Sequence, residues 1–420
     1  MLVFKFGGAS VKDASAVKNV ANILERYKNE QILVVVSAMG KTTNLMESLV
    51  HQYMNKQSIT EVMDELKQFH RSIITDLIGP NSSQFYEVEN LFIELECTLD
   101  TDMAAQGYDF VYDQIVPYGE LLSTRIISHF LNQIGVTNRW LDARNFVVTT
   151  SQHRRGRVNW EVTQNLISKR AKKLIEKQLT ITQGFIGRTV ENNSSTLGRE
   201  GSDYSAAIFA YCLEASSVTI WKDVPGVMNA DPKRMSITEL LPDISFKEAI
   251  ELAYYGASVI HPKTIQPLMQ KAIPLYVRSF LDENAQGTIV QDHGLNSVVN
   301  VPCYIFKDNQ AMISLSSKDF AFIVEDNLSH IFSGLASTGV QVNLMQNTAI
   351  SFAICVNADD RRINKFLEII GEEYSIEIQK DLQLLTIFNP VNSNQISKIV
   401  GTKNQLLEHR TSNALQLILQ

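Results

Sequence analysis

Through the first 290 residues, short runs of β-branched and apolar residues alternate with longer amphipathic runs. Leu2–Phe6, Ile32–Val36, Asn138–Leu141, Leu179–Phe185 and Ser217–Trp221 read as strands. Helices are expected over Lys12–Lys28, where Val17, Val20, Ile23 and Leu24 share one face, and from Thr43 to His51. Further helices are expected across Thr60–Met103 with a break at Gly79-Pro80, over Leu121–Ile134 and over Asp203–Leu213. This order predicts an α/β fold with a mainly parallel sheet covered by helices on both faces, a three-layer αβα arrangement.

The rhythm changes after about Gln291, and Gly294-Leu-Asn-Ser reads as a linker. Ala311–Leu315, Asn327–Thr338, Val340–Met345, Ile350–Val356, Asp360–Ile370 and Ser375–Ile378 then follow in strand–helix–strand–strand–helix–strand order. That βαββαβ order is ferredoxin-like. It starts again with strand Leu382–Phe388, helix Asn394–Val400 and strands Gln405–His409 and Leu415–Leu419, and stops there. The expected division is a domain over 1–290 and a regulatory region over 300–420. Within that region, one unit covers about 311–378 and a shortened one about 379–420, which a strand around Cys303–Phe306 could complete from its N-terminal side.

The 420 residues suit two or three domains. A net charge of −7 argues against nucleic-acid and membrane-surface partners. No apolar run is long enough to span a bilayer, the first residues lack the order of a signal peptide, and four scattered cysteines suit reduced thiols in the cytoplasm. The eight histidines stand apart, so no structural metal site is expected.

Five segments carry chemical possibilities. Lys5-Phe-Gly-Gly-Ala-Ser10 leaves the first strand; Gly7 and Gly8 would let backbone N–H groups approach a phosphate, the following helix would add a positive dipole end, and Lys5 would meet phosphate charge. A tight turn with a surface lysine is the plain alternative. Ser37-Ala-Met-Gly-Lys-Thr-Thr-Asn44 looks like a Walker A loop but has Val35 where that loop needs glycine. Ser37 and Thr43 could hold a small polar substrate or cap a helix. Glu120, in Val116–Ser123, either complements a helix dipole or pairs with a substrate ammonium.

Gly198-Arg-Glu-Gly-Ser-Asp-Tyr204 is the richest segment. Arg199 could grip a carboxylate in a bidentate fork, and Asp203 could orient the ammonium of Lys5 or cap a helix. Lys222, Asp223 and Lys233, in Trp221–Arg234, could face a nucleotide or sit in ordinary turns. His261, within Tyr255–Pro262, reads as a packed histidine, and the basic run His153–Arg157 as solvated loop charge.

KFGGAS, SAMGKTTN, YGELLS, GREGSDYSAAI, WKDVPGVMNADP and YYGASVIHPKT together resemble the aspartate kinases of the amino-acid kinase superfamily, in that family's order and across the whole first 290 residues. The C-terminal region resembles the paired ACT domains that follow such catalytic domains. The resemblance implies transfer of the γ-phosphoryl group of Mg-ATP to the side-chain carboxylate of L-aspartate, giving ADP and 4-phospho-L-aspartate, the first step towards lysine, threonine and methionine. By residue, it implies that Lys5, Gly7 and Gly8 bind the transferring phosphoryl group and that Asp203 organises the site around Lys5. Ser37, Thr43, Glu120 and Arg199 would bind aspartate, and Lys222, Asp223 and the loop to Lys233 would border ATP. Mg²⁺ would be held mainly by phosphates. It also implies an ACT-mediated homodimer or higher homo-oligomer and feedback by lysine or threonine, with Asp326, Asn327 and Asn343 near the effector turn.

The sequence departs from the family's pattern at Ala9, Glu200, Met228 and Ser258. Glu200 puts an acid beside Arg199, where glycine is common. Two other readings stay open: a kinase of the same fold acting on another small molecule, or an amino-acid sensor that has lost catalysis. A homoserine dehydrogenase fusion, found among relatives, is not expected in a chain ending at Gln420.

Overall fold

The computed structural model describes every residue except Asn81, Ser258, Val259, Glu283, 295–298, 319–321 and 391–392, and omits the side chains of 393–395. Much of the expected linker and the departure at Ser258 therefore lie outside the described residues. The chain forms two compact units. The first comprises 1–227, 240–250 and 259–298; the second takes 299–420 together with 228–239 and 251–258.

The first unit opens with β1 (Leu2–Phe6), α1 (Ala14–Arg26), β2 (Ile32–Val36) and α2 (Thr42–Met54). The long helical region is a pair, α3 (Thr60–Ile78) and α4 (Ser83–Leu99), parted where Gly79 takes φ +94° and Ser82 caps the second helix through Phe85 N. Next come α5 (Tyr108–Ile115), α6 (Tyr118–Gln133), β3 (Asn138–Leu141), β4 (Val148–Thr149), α7 (Trp160–Leu166) and α8 (Lys172–Ile175). These are followed by β5 (Leu179–Gln183), β6 (Ile186–Thr189), β7 (Ser194–Thr196), α9 (Gly201–Leu213) and β8 (Ser217–Lys222). β9 (Asp243–Ser245), α10 (Phe246–Tyr255, whose residues from 251 on count with the second unit), α11 (Pro262–Gln270), β10 (Leu275–Ser279) and β11 (Thr288–Gln291) complete the series.

Eight strands form one sheet in the order β3-β5-β2-β1-β8-β10-β11-β9, parallel except where β10 meets β11. Every residue of Ile32–Val36 is buried, as expected of a strand covered on both faces. On one face Phe4, Phe6, Val34 and Val36 join a core with α1, α2, α3, α4 and α6. α9 packs on β1 and β2 with Ala206, Ala207 and Phe209, which lie outside that core. β4, β6 and β7 make a separate small sheet. Among the described residues no helix is long and apolar enough to cross a membrane.

In the second unit, β12 (Cys303–Ser317), α12 (Glu325–Thr338), β13 (Val342–Asn347), β14 (Ser351–Asn357), α13 (Asp360–Ile370), β15 (Tyr374–Phe388), α14 (Ser393–Val400), β16 (Gln405–Arg410) and β17 (Ala414–Leu419) follow in order. They form a single six-stranded sheet, β13-β14-β12-β15-β17-β16. The strands expected at 375–378 and 382–388 are one strand, because the left-handed residue Asp381, opposite the register shift between Gln310 and Met312, lets the ladder shift without stopping. Cys303–Lys307 pairs with Leu384–Phe388, so the start of β12 supplies the fourth strand of the second ferredoxin-like unit.

Candidate active site

The carboxyl end of β1 is where the sheet order turns, to β2 on one side and β8 on the other, the position at which open parallel sheets bind their ligands. Lys5 lies on β1 between Val35 and Ile220 and is 8% exposed. Its Nζ stands 2.7 Å from Asp203 Oδ1, and Lys222 Nζ, at the end of β8, stands 3.7 Å from Oδ2. Asp203 is 3% exposed, in the first turn of α9. Burial alone would raise its carboxyl pKa; the Lys5 and Lys222 ammonium groups outweigh that and hold it below the usual value. Lys5 and Lys222 thus bring two ammonium groups to one carboxylate, a setting suited to an anion. Asp203 does not cap α9, whose N-cap is Glu200.

Gly40 N donates to Gly8 O at 3.0 Å, joining the loops after β1 and β2. A Cβ on Gly8 would lie 2.8 Å from Gly40 O and 2.9 Å from Ala38 O, and one on Gly7 would lie 3.3 Å from Lys5 Nζ. The glycines therefore admit a backbone approach that side chains would obstruct. One expectation needs correction. α1 does not follow the loop directly: a 3₁₀ turn at Gly8–Val11 intervenes, and Asp13 caps α1 by accepting from Ala16 N at 2.8 Å. An acid already satisfies that helix end, so its dipole is not free for a phosphate at Gly7.

Glu120 enters from the first turn of α6 and is 3% exposed. Oε1 accepts from Ala38 N at 3.3 Å, while Oε2 is buried with no hydrogen-bond partner among the described residues. Burial pushes its carboxyl up to about 8, against the opposing effects of the Ala38 amide and the Lys5 charge. Such an oxygen is costly unless a donor reaches it, and a substrate ammonium would. Ser37 precedes the Ala38 that donates to Glu120, Thr43 lies on α2, both are half-buried, and neither caps α2, whose N-cap is Lys41. The sequence reading passed over Ser123, whose hydroxyl donates to Ser37 O at 2.7 Å. Its position three residues after Glu120, on the same helical face, was the available signal.

Arg199 is exposed on the loop between β7 and α9. Glu200 beside it takes φ +54°, and its Oε2 is buried without a hydrogen-bond partner among the described residues. His261, expected to be packed in the core, is half-buried: its Nδ1 accepts from Lys263 N at 3.1 Å to cap α11, and it feels the charges of Glu200 and Arg199. Asp223 is exposed just past β8, and Lys233 is exposed in the segment that belongs to the second unit. The structure thus brings Lys5, Asp203, Lys222 and Glu120 together and leaves Arg199, Asp223 and Lys233 on exposed loops.

The basic run is more than solvated charge. His153 Nδ1 and Arg154 N bond the buried Asp113, and the Arg154 guanidinium lies 4.5 Å from the centre of the Tyr112 ring. In the second unit Asn327 accepts from Val324 N and donates to Tyr374, Asn343 is bonded to Lys307, Gln310 and Asn357, and Asp326 is exposed. Among the described residues no three His, Cys, Asp or Glu side chains cluster as metal ligands.

The amino acid kinase family matches residues 1–279, and the chain belongs to it. Lysine-sensitive aspartokinase 3 of Escherichia coli K12 is 30% identical over 416 residues, 97% of this chain and 90% of that protein. Within the family, this chain belongs with the aspartokinases. The E. coli aspartokinase III structure with aspartate and ADP, in its R-state, superposes with a TM-score of 0.85 at 27% identity, over 100% of this chain and 96% of that one. The chloroplastic bifunctional aspartokinase/homoserine dehydrogenase 2 of Arabidopsis thaliana is 30% identical over 390 residues, 90% of this chain; the match spans only 42% of that protein.

Proposed function

We propose that the chain is an aspartate kinase, transferring the γ-phosphoryl group of ATP to the side-chain carboxylate of L-aspartate. The observation that carries this reading is the buried, unpartnered Oε2 of Glu120 close to the Lys5–Asp203–Lys222 cluster: an ammonium acceptor beside an anion site. A substrate oxygen attacks the γ-phosphorus, the bond to the β,γ-bridging oxygen breaks, and ADP leaves. The nucleophile is ionised at neutral pH, so no general base is required.

Lys5 neutralises charge on the transferring group and Asp203 fixes Lys5 and Lys222. Gly7 and Gly8 admit the phosphates, and Lys222 and Asp223 border the nucleotide. Glu120 takes the α-ammonium, Arg199 the α-carboxylate, and Ser37 and Thr43 the remaining polar edge. Mg²⁺ would neutralise phosphate oxygens and be held chiefly by them, since Asp203 is already engaged by two lysines.

The catalytic domain is read as 1–290, and the ACT region as 300–420 with units at about 311–378 and 379–420. The ACT region would join copies of the chain into a homodimer or larger assembly. Lysine is favoured over threonine as effector, because the E. coli relative is lysine-sensitive. Asp326 is the available candidate contact; Asn327 and Asn343 would have to exchange present bonds. A reducing compartment such as the cytoplasm suits the four free thiols.

ADP release from Mg-ATP, with L-aspartate, L-glutamate or no acceptor, tests the reading. Aspartate-dependent release is expected. Release only with glutamate would change the substrate, and silence with both would turn the reading to a sensor.

A further inference from the structure

α5 ends in two side chains that hold a neighbouring strand. Gln114 accepts from Ser194 N at 3.2 Å and donates to Ser194 O at 3.1 Å, clasping the first residue of β7. Asp113, fully buried, accepts from Thr196 Oγ1 at 2.7 Å, at the strand's last residue. The same carboxylate accepts from Arg154 N at 3.1 Å and lies 2.9 Å from His153 Nδ1. That basic loop returns to the strand: Gly156 N donates to Thr196 O at 2.9 Å. It also closes on the next turn, where a Cβ on Gly198 would stand 3.1 Å from Arg154 O.

A buried carboxylate with donors from three residues is a costly group to keep unless the geometry it enforces is used. What it enforces is the path of Ser194–Gly198, the segment that delivers Arg199. α5 also runs almost directly into α6, and seven residues after Asp113 stands Glu120.

We propose that Asp113 is a positioning residue for Arg199, setting the guanidinium at a fixed span from Glu120 so that one amino acid can engage both. This rests on the reading of Arg199 and Glu120 as the groups that grip the substrate's carboxylate and ammonium. Asp113 touches no substrate; it acts through the loop.

The test is a double-mutant cycle in the full chain between Asp113→Asn and Arg199→Ala, with initial rates at varied aspartate and varied ATP. Asp113→Asn should raise the KM for aspartate about tenfold and leave kcat and the KM for ATP within about twofold, because misplacing one gripping group weakens binding before it touches the transfer step. In the Arg199→Ala background the same change should add less than about twofold. Multiplying effects, or equal losses for aspartate and ATP, would overturn the proposal. Should Asp113→Asn not fold, Thr196→Val removes one donor and keeps the carboxylate; its effect should also vanish without Arg199, and an independent effect overturns the idea. The parent reading fails separately: a wild-type protein that releases no ADP with aspartate, or an Arg199→Ala protein with an unchanged aspartate KM, removes the role Asp113 would support.

Discussion

Gly8 and Gly40 lie so close that the amide of one bonds the carbonyl of the other, and a single methyl on Gly8 would fall 2.8 Å from that partner's oxygen. The atoms in the way are backbone, so no rotamer change relieves the clash. Gly8→Ala should part the two loops, cost roughly 1–3 kcal/mol of stability in urea unfolding and lower turnover at least about tenfold. Unaltered turnover would show that the two loops need not touch for the reaction.

Lys5 and Asp203 form a buried pair, and the two partners should respond differently to removal. Lys5→Ala should reduce kcat by roughly 10²–10³-fold, the usual scale for one preorganised charge. The fold should tolerate it, because Lys222 still faces Asp203. Steady-state rates together with a melting curve decide this, and wild-type turnover would remove Lys5 from the chemistry.

Glu120 gives a pH signature. With its carboxyl pushed up to about 8 by burial, the unliganded protein holds it mostly protonated at pH 7. An incoming ammonium favours the carboxylate, so aspartate binding at pH 7 should release close to one proton. Apparent affinity should rise with pH and level off above about 8. Calorimetry in two buffers of different ionisation enthalpy measures the release. Glu120→Gln should abolish it, and no release from the wild type would contradict the assignment.

Because the raised value sits above the ordinary carboxylate range, Glu120 also costs the unliganded fold stability as pH rises from about 4.5 towards 8. Aspartate should therefore raise the melting temperature more at pH 8 than at pH 5. A thermal-shift series reads this directly.

Glu200 occupies the left-handed region at φ +54° and buries an unpartnered oxygen. Glu200→Gly should stabilise the protein by about 1 kcal/mol in urea unfolding, since glycine takes that backbone without strain. It should also tighten aspartate binding by removing an acid next to Arg199. Weaker binding would mean that Glu200 itself contributes to the site.

Local pattern made much of this molecule legible. β1, β2 and β3 have the bounds their sequence suggests; in β2 the reason is a run of five apolar residues that has no alternative to a doubly covered strand. β9, β10 and β11 went unread: they are short, lie at the far side of the sheet and alternate with turn residues. α11 was hidden by Pro267 within it. At the candidate site, glycines and charged residues in recognisable motifs pointed to Lys5, Glu120 and Asp203, which the structure brings together, and to Arg199, which stays on an exposed loop. Asp113 sits in no motif, and its role arises only where α5, β7 and a loop forty residues away converge.

β12 and β15 each run through both ferredoxin-like units, with two small register shifts, at Lys307/Gln310 and Gln310/Met312, where the units meet. The two units therefore have no clean cut point between them. A chimera that exchanged either half for a foreign sensor would sever the central strands of the half it kept. The transplantable cassette is the whole six-stranded sheet, and a graft of this region should carry it intact.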